Sequence, residues 1–129
     1  MGIAGSDEKC ALVPGTYRFS ACLTYKQPGF AEALRAAAGE GFDVYHDNVG
    51  GPMLVDALKV LRNYGTVVLC GMMAEYNTAP EERSFCFPMA LPVLKRAVLK
   101  GLVEAFVADT EQGEPAASPF TAQSSISRR

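Results

Sequence analysis

Three consecutive segments constrain the fold more than any other feature. "FDVYHD" (Phe42 to Asp47) reads as a strand. "GPMLVDALKVLRNYG" follows, with Pro52 at a helix start, Leu54, Leu58 and Leu61 as a core stripe, and Gly65 past the end. "TVVLCG" (Thr66 to Gly71) is a continuous apolar run, as expected of a parallel strand covered on both faces. The rhythm extends upstream. "MGIAGSDEKC" reads as a buried strand end running into a helix: Ile3 and Ala4 are apolar, Gly5 turns and Ser6 caps. Asp7 and Glu8 sit in the first turn, where the helix dipole favours anions. "SACLTY" (Ser20 to Tyr25) is β-prone, and "PGFAEALRAAAGEG" is a helix with Phe30, Ala33, Leu34 and Ala37 on one face, ended by Gly39 or Gly41. A helical stretch (Met89 to Val98) and a strand (about Leu99 to Phe106) follow a polar, proline-containing loop. This alternation predicts an α/β protein with a doubly wound parallel sheet.

At 129 residues the chain holds one domain at most. The domain is expected over 1–108. The rest, 109–129, is rich in Ser, Pro, Ala and Gln without any period, and is expected to be a disordered tail. "PGTYRFSAC" interrupts the pattern and blurs the register from Val13 to Cys22. A net charge of −2 gives no electrostatic case for nucleic acid or an anionic membrane. The basic pairs Lys95-Arg96 and Arg128-Arg129 read as solvated surface. The four cysteines, at 10, 22, 70 and 86, make no Cys-x-x-Cys pair, and His46 is the only histidine, so no metal site is expected. His46 itself reads as a structural side chain. The most apolar late stretch is broken by Lys95, Arg96, Lys100 and Glu104, which excludes a membrane-spanning reading. No signal-peptide pattern follows Met1, and free thiols in a cytoplasmic protein are the expectation.

Ligands of open α/β sheets sit beyond the carboxyl ends of the strands. Those ends carry Gly5-Ser6-Asp7-Glu8-Lys9, then Tyr25-Lys26, then Asp47-Asn48-Val49-Gly50-Gly51, then Cys70-Gly71 leading to Glu75-Tyr76-Asn77. Each has a plain reading as a turn, a half-buried aromatic, a small buried hydrophobe or a surface lysine. Their recurrence at one sheet edge is the case for a crevice. In a dinucleotide fold, a basic residue at the end of the second strand suits the 2′-phosphate of NADP, and a helix N-terminus offers N–H groups to phosphate. Lys9 after Gly5-Ser6 fits that arrangement. A carboxylate from Asp7 or Glu8 facing the ribose would favour NAD instead.

"GIAGSDEKCALV", "LTYK", "FAEALRAAAGEGFDVYHDNVGG" and "CGMMAEYN" resemble the nucleotide-binding domain of the zinc-independent medium-chain dehydrogenase/reductases. The branch is that of the NADPH-dependent alkenal double-bond and prostaglandin reductases. The resemblance spans roughly Gly2 to Val107, and the ordered run is specific where its pieces alone are weak. It implies a partial Rossmann-type sheet that binds NADP without a metal. Lys9 would bind the 2′-phosphate and Tyr25 would contact the adenosine end. Asn48 would hydrogen-bond near the diphosphate and nicotinamide ribose. Cys70 and Tyr76 would border the nicotinamide half, with Tyr76 the catalytic candidate near the carbonyl of an enal or enone substrate.

The family's glycine-rich strand–turn–helix and its N-terminal catalytic domain have no counterpart in this sequence. In the strand order 3-2-1-4-5-6 the first strand is central. The expectation is therefore that the chain rearranges its sheet, pairs with a separate N-terminal half or another copy, or is poorly stable, and that it binds NADP weakly alone. Two other readings remain open. One is a non-catalytic module that binds a nucleotide or a partner. The other, a methyltransferase-like fold, lacks the glycine-rich acidic loop that such folds need.

Overall fold

A computed structural model of the chain describes residues 1–82, 87–102 and the backbone of 124–127. Strand β1 (Gly2–Ala4) leads into helix α1 (Asp7–Tyr17), β2 (Cys22–Thr24), α2 (Phe30–Ala38) and β3 (Phe42–Asp47). Helix α3 (Gly51–Val60), β4 (Leu61–Leu69), α4 (Ala90–Lys95), β5 (Val98–Gly101) and β6 (Ser124–Ser127) complete it. Short 3-10 turns lie at Met73–Glu75 and Pro80–Glu82.

The strands form one sheet in the order β2-β1-β6-β3-β4-β5. β1 and β2 are parallel, as are β3, β4 and β5. β6 lies antiparallel to both β1 and β3. The α/β, Rossmann-type architecture is thus present, with all five parallel strands ending at one edge. The central position, which the first strand holds in the order 3-2-1-4-5-6, is held by β6 running the other way. Residues 124–127 thus pair in the sheet, within the stretch expected to be a disordered tail. Ser124 and Ser125 pair with Ile3 and Gly2, and Ser125, Ile126 and Ser127 pair with His46, Tyr45 and Val44. The physical reason is that backbone N–H and C=O groups inside a sheet require partners, whatever side chains bring them. The rest of 109–129, and Val103 to Phe106 of the expected last strand, lie outside the described residues.

Local chemistry explains the helix boundaries. The Ser6 hydroxyl accepts from Lys9 N–H at 3.3 Å and opens α1. The helix runs on through Pro14 to Tyr17, and Arg18 closes it in the left-handed conformation, its N–H reaching Val13 C=O. The irregular stretch is therefore helical as far as Tyr17. The buried stripe of α2 is Leu34 and Ala38, with Phe30 packed beside the core. Ala33 and Ala37 face solvent, so the inward spacing is every fourth residue rather than the mixed three-and-four spacing expected.

Helix α3 stops at Val60, earlier than the expected end near Gly65. Leu61 turns extended (φ −68°, ψ 139°) and pairs with Phe42. The core joins Ile3, Leu34, Phe42, Tyr45, Leu54, Leu58, Leu61 and Val67 across β1, β3, β4, α2 and α3. Leu54, Leu58 and Leu61 are the three leucines expected there, although Leu61 contributes from the strand. The pair Lys95-Arg96 is engaged rather than simply solvated. Lys95 Nζ donates to Leu61 C=O at 2.6 Å and Lys59 C=O at 3.1 Å, and the Arg96 guanidinium lies 4.7 Å from the Tyr64 ring centre.

Candidate functional site

The sheet edge splits the candidate residues into two groups. At the ends of β1 and β2, Tyr25 N–H donates to Ala4 C=O at 3.0 Å and brings the tyrosine over Gly5. A Cβ at Gly5 would lie 3.3 Å from Tyr25 Cε1, so the missing side chain makes room for the ring. Lys26 Nζ stands 5.9 Å from the centre of that ring. Lys9 projects from the exposed face of the first turns of α1, the end where a helix favours anions. The Asp7 carboxylate is already engaged, taking Thr24 Oγ1–H at 2.6 Å and Gln27 Nε2–H at 2.9 Å. Asp7 is thus tied to β2 and the loop beyond it.

At the ends of β3 and β4, Asp47 organises the turn. It is fully buried, and its Oδ1 accepts from Tyr45 O–H at 3.1 Å, Val49 N–H at 3.1 Å and Gly50 N–H at 2.9 Å. This is an Asx turn, in which a side chain takes the place of a backbone acceptor. Gly50 (φ 70°) and Gly51 (φ 60°) supply the left-handed backbone that it needs. The following loop is fastened to this turn: Asp47 C=O takes Cys70 N–H at 2.8 Å, Asn48 C=O takes Met73 N–H at 3.3 Å and Val49 C=O takes Ala74 N–H at 3.0 Å. A Cβ at Gly71 would sit 2.9 Å from the Asn48 carbonyl oxygen and 3.2 Å from Tyr76 Oη, so only glycine lets these groups converge.

A cavity of about 670 Å³ opens at this edge, walled by Leu54, Leu69 and Leu102 and bordered by Asp47, Cys70 and Tyr76. An apolar hollow with a few convergent polar groups is the usual form of a small-molecule site. Asp47 Oδ2, buried, has no hydrogen-bond partner among the described residues. Cys70 Sγ lies 3.0 Å from His46 Nε2 across β3 and β4, which gives the only histidine a specific polar partner.

Cys70 and Tyr76 therefore share one cavity, with the Asn48 backbone beside them. Lys9 and Tyr25 stand apart, beyond β6. Adjacent strands are about 4.8 Å apart, so β1 and β3 are about 10 Å apart across β6. The sequence reading did not single out Asp47 among the site residues. Its signal was an aspartate at a strand end directly before Asn-Val-Gly-Gly, a pattern suited to an Asx turn.

The arrangement has counterparts among known proteins. The family described as zinc-binding dehydrogenase matches residues 1–117. The chain belongs to that family. Prostaglandin reductase 1 of Bos taurus is 42% identical over 82 residues, covering 62% of this chain and 25% of that protein. The 2-alkenal reductase (NADP(+)-dependent) of Nicotiana tabacum is 33% identical over 107 residues, covering 80% of this chain and 30% of that protein. Among solved structures, CurA of Vibrio vulnificus in complex with NADPH superposes with a TM-score of 0.67 at 31% identity, covering 78% of this chain and 31% of that one. The chain thus spans about a third or less of the curated relatives it matches. The resemblance to the alkenal and prostaglandin reductase branch holds, and these relatives include NADP-dependent reductases.

Despite the family's name, no group of three or more His, Cys, Asp or Glu side chains among the described residues is placed to hold a metal ion. Cys70 and His46 offer two donors where a zinc site needs at least three from protein. Among the described residues, no helix is long and apolar enough to cross a membrane.

Proposed function

We propose that this chain is the nucleotide-binding part of an NADPH-dependent reductase that saturates the C=C bond of small α,β-unsaturated aldehydes and ketones. The observation that carries the reading is the apolar cavity at the strand ends, bordered by Tyr76, Cys70 and the buried Asp47, whose Oδ2 has no partner among the described residues. Residue types at the edge suit the parts of the cofactor in order. Lys9 takes the 2′-phosphate as a point charge, and Tyr25 covers the adenosine end. Asn48 serves the diphosphate and nicotinamide ribose, and Cys70 and Tyr76 border the nicotinamide. Asp47 Oδ2 accepts from a hydroxyl or amide donor there.

NADPH, when bound, supplies the hydride to the β-carbon of the substrate. The chain's own task is to stabilise the enolate charge and return a proton to it. The Tyr76 hydroxyl, beside Gly71 at the cavity, is the donor that polarises the carbonyl oxygen. The leucine walls exclude water from the reacting carbons.

The diphosphate is less well served. The central slot of the sheet, where a glycine-rich turn would cradle it, is held by β6. We infer that this chain alone binds NADPH weakly. Turnover needs further protein around this part, since the chain spans about a third or less of the length of its relatives. The half-buried free thiols Cys10, Cys22 and Cys70 accord with a cytoplasmic setting.

The test is enone-dependent NADPH oxidation by the chain alone and mixed with an N-terminal half of a homologous reductase, alongside a fluorescence titration with NADPH. Turnover on mixing is expected, abolished by Tyr76→Phe. Lys9→Ala is expected to weaken NADPH binding about ten- to a hundredfold, the worth of a hydrogen bond to a charged group, and to leave NADH binding unchanged. Equal loss for both cofactors would remove Lys9 from the 2′-phosphate. A second reading, a non-catalytic nucleotide-binding or protein-interaction module, draws on β6: the chain closes its own sheet. Stable protein with no turnover in any mixture would favour it.

A further inference from the structure

On the face of the sheet covered by α1, away from the cavity, two sulfurs meet. Cys10 Sγ and Cys22 Sγ lie 2.6 Å apart, within about 0.6 Å of the covalent S–S length of about 2.0 Å. The backbone places them. Cys22 opens β2 in register with Gly2 of β1, and Cys10 lies one helical turn into α1, which crosses above. A Cβ at Gly2 would be 2.8 Å from Val13 Cγ1 of α1 and 3.5 Å from Cys22 Sγ, so helix and strands are in close contact at this point. Thr24 Oγ1 closes the seam, donating to Asp7 at 2.6 Å and standing 3.5 Å from Cys10 Sγ. Both cysteines are half-buried, so a small oxidant reaches them.

We propose that Cys10 and Cys22 form a dithiol modification site, which a hydroperoxide-class oxidant converts to an intramolecular disulfide tying α1 to β2. Burial, then the neighbouring Cys10 sulfur, pushes the Cys22 thiol up to about 12, so Cys22 stays protonated and Cys10 reacts first. The Cys10 thiolate attacks one oxygen of hydrogen peroxide, the O–O bond breaks, and the departing hydroxide takes a proton as water. The sulfenic acid on Cys10 is then displaced by the Cys22 sulfur. The S–S bond forms, the S–O bond breaks, and the hydroxide leaves with the Cys22 proton as a second water. Two thiols lose two electrons in all, and one peroxide becomes two waters. The link forms one residue from Lys9, so oxidation fixes the helical turn that presents that lysine.

Trypsin places each of the four cysteines on a separate peptide, Cys10 within 10–18 and Cys22 within 19–26. Reduced protein is treated with stepwise hydrogen peroxide, blocked with N-ethylmaleimide and mapped by mass without reduction. Peptides 10–18 and 19–26 are expected to appear joined, lighter by two hydrogens, reversible by dithiothreitol, in monomeric protein, at lower peroxide than any change at Cys70 or Cys86. In Cys22→Ser, dimedone is expected to trap the sulfenic acid on Cys10. The proposal is overturned if both peptides keep their maleimide while Cys70 or Cys86 oxidises. A link from either cysteine to another position or to a second copy overturns it equally. Wild-type mapping alone decides the matter, whether or not the serine variant folds.

Discussion

Asp47 shows how much one side chain holds in place. Its Oδ1 binds two backbone N–H groups and a phenol in a fully buried position, and the loop carrying Cys70 and Tyr76 is fastened to the turn that it makes. Asp47→Ala leaves those donors buried without an acceptor, so we expect a loss of about 2–4 kcal/mol in denaturant melts, with Asp47→Asn costing less because one carbonyl oxygen remains. If the two variants were equally stable, Oδ1 would not be what holds the turn. Cys22 gives a pH prediction. Its thiol ionises near 9.0 in an ordinary setting and is pushed up to about 12 in the folded chain, chiefly by burial and then by Cys10. The folded state then holds a proton that the unfolded state gives up. The contribution is fully present below pH 9.0 and is lost as the pH rises toward 12. Under reducing conditions, wild type is expected to lose more stability than Cys22→Ser between pH 8 and pH 11, measured as the difference between their urea midpoints. Parallel slopes would show that the thiol titrates alike in both states. These residues differ in how far sequence revealed them. Ser6 as a cap and Lys9 in the first turns of α1 follow from local spacing. The meeting of Cys10 with Cys22 depends on a partner twelve positions away, and the loop that starts at Cys70 packs on Asp47 from more than twenty, which no local period encodes.

The elements obey their local signals wherever the signal is local. The span of β3 was legible to the residue, because a short apolar-rich run ends at a strong turn sequence. The end of α3 was not. Lys95 reaches from α4 to Lys59 C=O in the last turn of α3 and to Leu61 C=O just past it, so the helix can stop at Val60 and release Leu61 into the core. A cation at a helix C-terminus also meets the negative end of its dipole. Lys95→Met keeps the aliphatic stem and removes the donors. It is expected to cost about 1 kcal/mol and to lower Tm by about 4 °C, read by calorimetry. Lys59→Met, which loses only its pair with Asp56 on the same helix, should move Tm by less than about half as much. Equal shifts would assign the effect to general surface charge. The basic pair at Lys95-Arg96 looked like solvated surface in sequence because its acceptors lie more than thirty positions upstream.

At the scale of the whole molecule, the parallel sheet was legible and its centre was not. The βαβ rhythm assigns β1, β2, β3, β4 and β5 to one sheet and their carboxyl ends to one edge, which is why the strand-end residues could be named. Nothing in "SSIS" carries a strand period, yet β6 lies between β1 and β3 and, among the described residues, joins the β1–β2 pair to the β3–β4–β5 group within the sheet. The two groups also share the core, through Ile3 and the Leu34 of α2. Pairing at β6 is a backbone interaction, intolerant of a lost N–H. Proline in a strand with neighbours on both sides removes a ladder donor and leaves its acceptor exposed or buried unmade. Ile126→Pro is expected to lower stability by about 1–3 kcal/mol. It should speed amide exchange in β1 and β3 at least tenfold, while β4 and β5, which pair with each other, keep their protection. If Ile126→Pro leaves exchange in β1 and β3 at wild-type rates, β6 does not hold the centre of the sheet. If β4 and β5 lose protection to the same degree, the sheet opens as one unit, and the division into two groups joined by β6 fails.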